Sequence, residues 1–148
     1  FSYMLLQAFD FMVLRRDYDV SLPEIRADAE QLIQATLNIA RNAVQAMHGN
    51  GHGRGQSEIV FRTRVARQIT LESRRYRLGL RVEIIDNGPG IPEEIREQIF
   101  YPLVSGREGG SGLGLAVAQT LIAQNHGTID CESRPGHTVF SIFLPLPT

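Results

Sequence analysis

Four apolar residues at period two, Leu78, Leu80, Val82 and Ile84, run into Asp86-Asn87-Gly88-Pro89-Gly90, and no second strand comes after them. Alternation of this kind marks a half-buried strand. Asn-Gly on its own reads as a two-residue hairpin turn, which needs a strand on its far side. Instead Pro89-Gly90-Ile91-Pro92 leads to Glu93 and Glu94, acidic residues suited to the first turn of a helix. The chain must therefore pass from a sheet to a helical layer just after Asp86. That leaves a carboxylate at a strand end beside glycines that let a flat ligand approach. Such a site suits an exocyclic amine, for example that of adenine, although five residues alone are only moderately specific.

The rest of the chain alternates in the same way. Residues 12–16 read as a first strand, and a long helix comes next over 29–47 with Asp28 as its N-cap. Leu32, Ile33, Leu37, Ile39, Ala40, Ala43, Val44 and Met47 give that helix a wide core-facing side. Ile59, Phe61, Thr63 and Val65 mark another strand, with 67–77 a hairpin excursion before the strand that ends at Asp86. A short helix begins near Pro92, a loop rich in turn formers covers 101–111, and a further helix spans 113–125, stopping at His126-Gly127. Strands at 128–132 and 138–144, joined by Arg134-Pro135-Gly136, close the chain. The pattern predicts an α/β (α+β) two-layer sandwich: a mixed β-sheet covered on one face by about three helices.

At 148 residues the chain has the size of one domain with one core. Its net charge of −1 gives no bulk attraction to nucleic acid or acidic membranes. The most apolar stretch, 3–14, is interrupted by Gln7 and Asp10 and is far short of a membrane span. The start on Phe1 suggests a fragment, with residues 1–11 an expression remnant or the tail of an upstream domain, and 12–148 the functional domain. Cys131 stands alone, which excludes a disulfide framework or a cysteine metal cage, and points to a reducing, cytoplasmic setting. It is expected as a small core or half-buried residue in a strand.

The second glycine stretch, Gly110-Ser111-Gly112-Leu113-Gly114-Leu115, feeds the helix over 113–125. Its plain reading is a flexible cap. A dinucleotide-binding fingerprint fails twice: Leu115 replaces the final glycine, and no strand precedes the loop. There remains a helix N-terminus with unpaired N–H groups, which attracts phosphate. All fifteen basic residues are arginine, so neither a Walker-type loop nor a eukaryote-type protein kinase is available. Arg107 is the best-placed cation for a phosphate. On the long helix Gln34, Asn38, Asn42 and Gln45 form a carboxamide stripe. Alone it is a solvated edge. Beside a phosphate site, the Asn42 carbonyl offers an oxygen to Mg²⁺, which often takes only one or two protein ligands, and Asn38 is placed to orient a coordinated water.

In this order the motifs resemble the catalytic and ATP-binding domain of bacterial sensor histidine kinases, within the GHKL (Bergerat) superfamily. Asn38 and Asn42 match the N box, the Asp86 stretch the first glycine box and the Gly110 stretch the second. Phe100-Tyr101-Pro102-Leu103 is similar to the F box, and Gly136-His137-Thr138 to the last glycine-threonine element. The resemblance covers residues 12–146. Asp17-Tyr18-Asp19, Ser21-Leu22-Pro23 and Tyr101-Pro102-Leu103-Val104-Ser105-Gly106-Arg107-Glu108-Gly109-Gly110 resemble the nitrogen-regulation sensor kinases.

The resemblance implies roles. Asp86 binds the adenine amino group, with Gly88 and Gly90 shaping the pocket and Thr138 adding a polar contact. Asn42 coordinates Mg²⁺, supported by Asn38. Gly110, Gly112, Leu113 and Gly114 bring the backbone to the phosphates of ATP, Arg107 neutralises charge, and 101–112 form a mobile lid. Gln45 stands where many members carry a lysine, so no phosphate contact from that position is carried over. His48, His52, His126 and His137 all lack the context of a phosphoacceptor, which the resemblance puts on a separate dimerisation domain. It also implies an NtrC-type response regulator and the PII signal protein as partners. The rival within the superfamily is a conformational ATPase such as gyrase, Hsp90 or MutL. Those carry a water-activating Glu four residues before the metal-binding Asn, where this chain has Asn38. A nucleotide-sensing module without transfer activity is the other alternative.

Overall fold

The helix expected from the apolar periodicity forms over Ala29–Gly49 (α1), 21 residues long. Asp28 caps it: its Oδ1 accepts the Gln31 N–H at 3.1 Å, and its carbonyl accepts the Leu32 N–H at 3.0 Å. The computed structural model describes residues 13–17, 27–49, 57–101 and 114–146.

Beneath α1 lies a five-stranded sheet made of β1 (Val13–Asp17), β2 (Glu58–Leu71), β3 (Arg74–Asp86), β4 (Thr128–Arg134) and β5 (His137–Pro145), in the order β1-β2-β3-β5-β4. β1 runs parallel to β2 and the other pairings are antiparallel, so the sheet is mixed as expected. A second helix, α2 (Gly114–Gln124), lies against α1, and a short 3-10 helix spans Glu93–Gln98.

Two boundaries differ from the sequence expectation for one physical reason. The segment 67–77 is not an excursion between shorter strands, because the β2–β3 ladder continues to Leu71 and Arg74. Its arginines alternate with apolar residues without forming an apolar run. At its tip Glu72 and Ser73 both have positive φ, 51° and 64°, the signature of a type I′ turn built without its preferred Asn-Gly.

Period two sorts the sheet residues by face. Phe61, Ile84 and Phe140 meet across three strands under α1, and each is almost fully buried. Phe100, just beyond the 3-10 helix, sets its ring edge-on to Phe140 at 6.2 Å. The other face is mixed, with Val60, Ile85 and Val139 in one row and charged side chains further along. There Asp17 is held by Arg64 at 2.7 Å and Arg62 at 3.1 Å, and the Arg64 hydrogen bond is the main reason its carboxyl is lowered from the usual range.

The two helices are joined at their far end by amides. Asn125 Oδ1 accepts the Asp28 N–H at 2.8 Å, and its Nδ2 donates to Gln31 Oε1 at 2.9 Å and to the Leu121 carbonyl at 2.8 Å. Gln31 in turn donates to Gln124 Oε1 at 2.8 Å.

Candidate functional site

Asp86 is the last residue of β3 and is only 6% exposed, an unusual place for a carboxylate. Its Oδ1 accepts the Gly88 N–H at 2.9 Å, which folds the chain sharply after the strand. A Cβ on Gly88 would lie 2.9 Å from that same oxygen and 3.0 Å from Cγ of Met47, so the absence of a side chain lets α1 close over the carboxylate. Gly90 has φ +89°, and a Cβ there would press within 3.0 Å of the Arg134 carbonyl group. The loop is further pinned to the β4–β5 turn by the Gly136 N–H, which donates to the Gly88 carbonyl at 2.9 Å. Asn87 holds the neighbouring strand, its Oδ1 accepting the Glu58 N–H at 2.9 Å.

Strand register brings the remaining polar groups to the same place. Asp86 pairs with Thr138 of β5 and Thr138 pairs with Ser133 of β4, so the three side chains form one row across the helix-covered face. Thr138 is 3% exposed, and its hydroxyl lies 2.8 Å from that of Ser133. Ser133 also accepts the Ile91 N–H at 2.8 Å. Sequence reasoning missed Ser133, although a two-residue Pro-Gly turn implies that Ser133 and Thr138 face each other.

Cys131 lies one step further along β4 on this face. Burial, and secondarily the nearby Asp86 carboxylate, push its thiol up to about 12. It stays protonated at neutral pH, so it is a half-buried packing residue and not a nucleophile.

The second end of the site is at α1 and α2. Asn38 Nδ2 donates to the carbonyl of Gly114, the first residue of α2, at 3.3 Å, while its Oδ1 accepts from Gln34 at 2.7 Å. Asn42 lies one turn later on the same helix and is half-buried. The structure thus brings Asp86, Gly88, Gly90 and Thr138 together at one end of α1, and Asn38 with Gly114 at its middle. Arg107, Gly110, Gly112 and Leu113 lie outside the described residues, as does most of the expected lid. Among the described residues no cluster of three or more His, Cys, Asp or Glu could hold a metal.

A buried carboxylate beside close-packed glycines, with one helix reaching from it to the start of a second, defines a class. The chain belongs to the family of histidine kinase-, DNA gyrase B- and HSP90-like ATPases, whose profile it matches over residues 27–148. Within that class it is similar to the sensory histidine kinase/phosphatase NtrB. It is 54% identical to the Vibrio alginolyticus protein over 135 residues, 91% of this chain and 37% of that one. It is 53% identical to the Escherichia coli O157:H7 protein over 137 residues, 93% of this chain and 38% of that one. The chain therefore spans a little over a third of the length of these relatives. Among solved structures, the catalytic domain of the histidine kinase ThkA superposes with a TM-score of 0.73 at 26% identity, covering 97% of this chain and 87% of that one. Full-length ShkA in complex with AMPPNP gives a TM-score of 0.72 at 25% identity, covering 99% of this chain and 28% of that one.

Proposed function

We propose that the chain is the ATP-binding catalytic domain of a sensor histidine kinase of the NtrB type. The observation that carries this reading is the placement of Asp86. It is a buried hydrogen-bond acceptor at a strand end, next to the Thr138 hydroxyl, and α1 connects it to the N-terminus of α2. Adenine is bound at Asp86, Gly88, Gly90 and Thr138, and the phosphates lie towards Asn42, Gly110, Gly112, Leu113, Gly114 and Arg107. The nucleotide complex of the fold relative ShkA supports a nucleotide in this architecture.

The carboxamide oxygen of Asn42 suits Mg²⁺, which often takes only one or two protein ligands, and Asn42 would be the protein ligand. When bound, Mg²⁺ neutralises charge on the phosphates. The γ-phosphoryl group passes to an imidazole nitrogen of a histidine on the dimerisation and phosphoacceptor domain, and ADP leaves. The phosphoryl group then passes to an NtrC-type response regulator, in the cytoplasm.

A conformational ATPase is the weaker reading. Asn38 is no base, and its amide is engaged on both sides, by Gln34 and by Gly114. The arginine-rich β2–β3 arm, where Arg74 lies 5.3 Å from the Tyr76 ring centroid, is the proposed docking surface for the PII signal protein. Charge reversal at Arg74 and Arg75 with PII binding unchanged would remove that part of the reading. The decisive experiment mixes the chain, Mg-ATP and a separately made phosphoacceptor domain. Acid-labile phosphohistidine, lost in Asn42→Ala and Asp86→Asn, is the expected result. Rapid hydrolysis by the chain alone would favour the conformational ATPase.

A further inference from the structure

A cation stands in the carboxamide stripe of α1. Gln34, Asn38, Arg41 and Gln45 follow one another at steps of four, three and four, so they form one row along the exposed edge of the helix. Arg41 is the only arginine in either α-helix, and α2 has no basic residue. Its side chain is exposed and makes no hydrogen bond or ion pair among the described residues. Two contacts fix its level along the helix. Asn38 reaches the Gly114 carbonyl at 3.3 Å, which sets the start of α2 beside the middle of the row. Met47 lies over Gly88, next to the Asp86 carboxylate. Arg41 is three residues from Asn38 and six from Met47, so about 4–5 Å and about 9 Å along the axis.

We infer that Arg41 is a further phosphate-binding residue, pairing with the terminal phosphate of a bound nucleoside triphosphate. The inference rests on the proposed nucleotide site and deepens it. A ligand with its base at Asp86 and its phosphates beside the N-terminus of α2 passes the level of Arg41 near its outer end. Successive helix residues are about 100° apart around the axis, so Asn42 lies on the half-buried side of the row and Arg41 on its open rim. A guanidinium presents parallel N–H donors that match two oxygens of one phosphate. Once the terminal phosphate has left, that contact is gone. Arg41 therefore favours the triphosphate over the diphosphate.

The test measures dissociation constants for Mg-ATP and Mg-ADP by calorimetry on the whole chain at fixed salt. Arg41→Ala should weaken Mg-ATP about tenfold and Mg-ADP by less than about twofold, the range of one charge-assisted hydrogen bond. Arg41→Glu should weaken Mg-ATP further. Arg41→Lys should restore part of the ATP:ADP preference, as a point charge without the paired donors. Arg41 is exposed, so the fold should tolerate each change. Unchanged ATP affinity in both Arg41→Ala and Arg41→Glu, or equal weakening of both nucleotides, overturns the inference. Intact ATP affinity with lower transfer to a separately made phosphoacceptor domain also overturns it, and assigns Arg41 to the contact with that domain. Asp86→Asn separates the two levels. If it leaves ATP affinity intact, the adenine seat itself is wrong. If it abolishes ATP binding while the Arg41 variants keep the wild-type ATP:ADP ratio, only the role of Arg41 fails.

Discussion

The Asn38 carboxamide donates to the Gly114 carbonyl across 3.3 Å and so ties the middle of α1 to the first residue of α2. Because Oδ1 of the same amide accepts from Gln34, the group is oriented from both sides. Asn38→Ala should cost about 1 kcal/mol, lowering the melting temperature by roughly 2–4 °C. Asn38→Asp should weaken nucleotide binding more than the alanine change, since a carboxylate cannot donate to Gly114 and adds negative charge beside the proposed phosphate site. Thermal unfolding with and without Mg-ATP separates the two effects.

Gly90 combines φ +89° with a backbone carbonyl 3.0 Å from its missing Cβ. Gly90→Ala should therefore destabilise the fold by about 1–3 kcal/mol, whether or not nucleotide is present. Urea unfolding of the apo chain measures this, and a change confined to nucleotide affinity would contradict it.

Asn125 makes three hydrogen bonds while only 7% exposed. Asn125→Ala strands the Asp28 N–H and the Gln31 side chain, at a cost of roughly 2 kcal/mol. Hydrogen exchange at Asp28 and in the first turn of α1 should accelerate, and the loop at Gly88 should change little.

Cys131 has its thiol raised from 9.0 to about 12, first by burial and then by Asp86. A folded-state value above the unfolded one means the native state holds the proton more tightly. The resulting stability is complete below pH 9 and is lost as pH rises towards 12. Alkylation of the native chain at pH 8 should be far slower than in urea, and Asp86→Asn should bring the titration midpoint down. A native thiol that titrates near its ordinary value would sink the assignment.

At the tip of the β2–β3 arm, Glu72 and Ser73 occupy left-handed positions that Asn and Gly prefer. The pair Glu72→Asn and Ser73→Gly should raise stability by about 0.5–1 kcal/mol in a urea titration. The exposed Glu72–His126 contact at 3.4 Å is lost in the exchange and should matter little.

Periodicity and local chemistry carried the legible part of the fold. The amphipathic pattern and Asp28 locate α1 to within two residues at its end, and the glycines after Asp86 locate the turn. The extent of β2 and β3 is hidden because Arg67, Arg74, Arg75 and Arg77 interrupt the apolar alternation, while the ladder needs only backbone partners. The row of Asp86, Thr138 and Ser133 is only half legible. The Pro135-Gly136 turn implies the Ser133–Thr138 pair, but bringing Asp86 beside Thr138 needs β5 to pair with β3, a long-range pairing that no local pattern encodes. Local pattern likewise suggests only a water-orienting role for Asn38, since its bond to Gly114 spans 76 residues of sequence.

Asn38 and Met47 belong to one uninterrupted helix, nine residues apart. At the rise of an α-helix this separation is roughly 13–14 Å, and no hinge within α1 can alter it. α1 therefore acts as a fixed caliper between the two ends of the pocket. In the proposed nucleotide site it sets the length of the ligand: a nucleotide with a shorter phosphate chain should lose its reach towards Asn38 and keep its contact at Asp86.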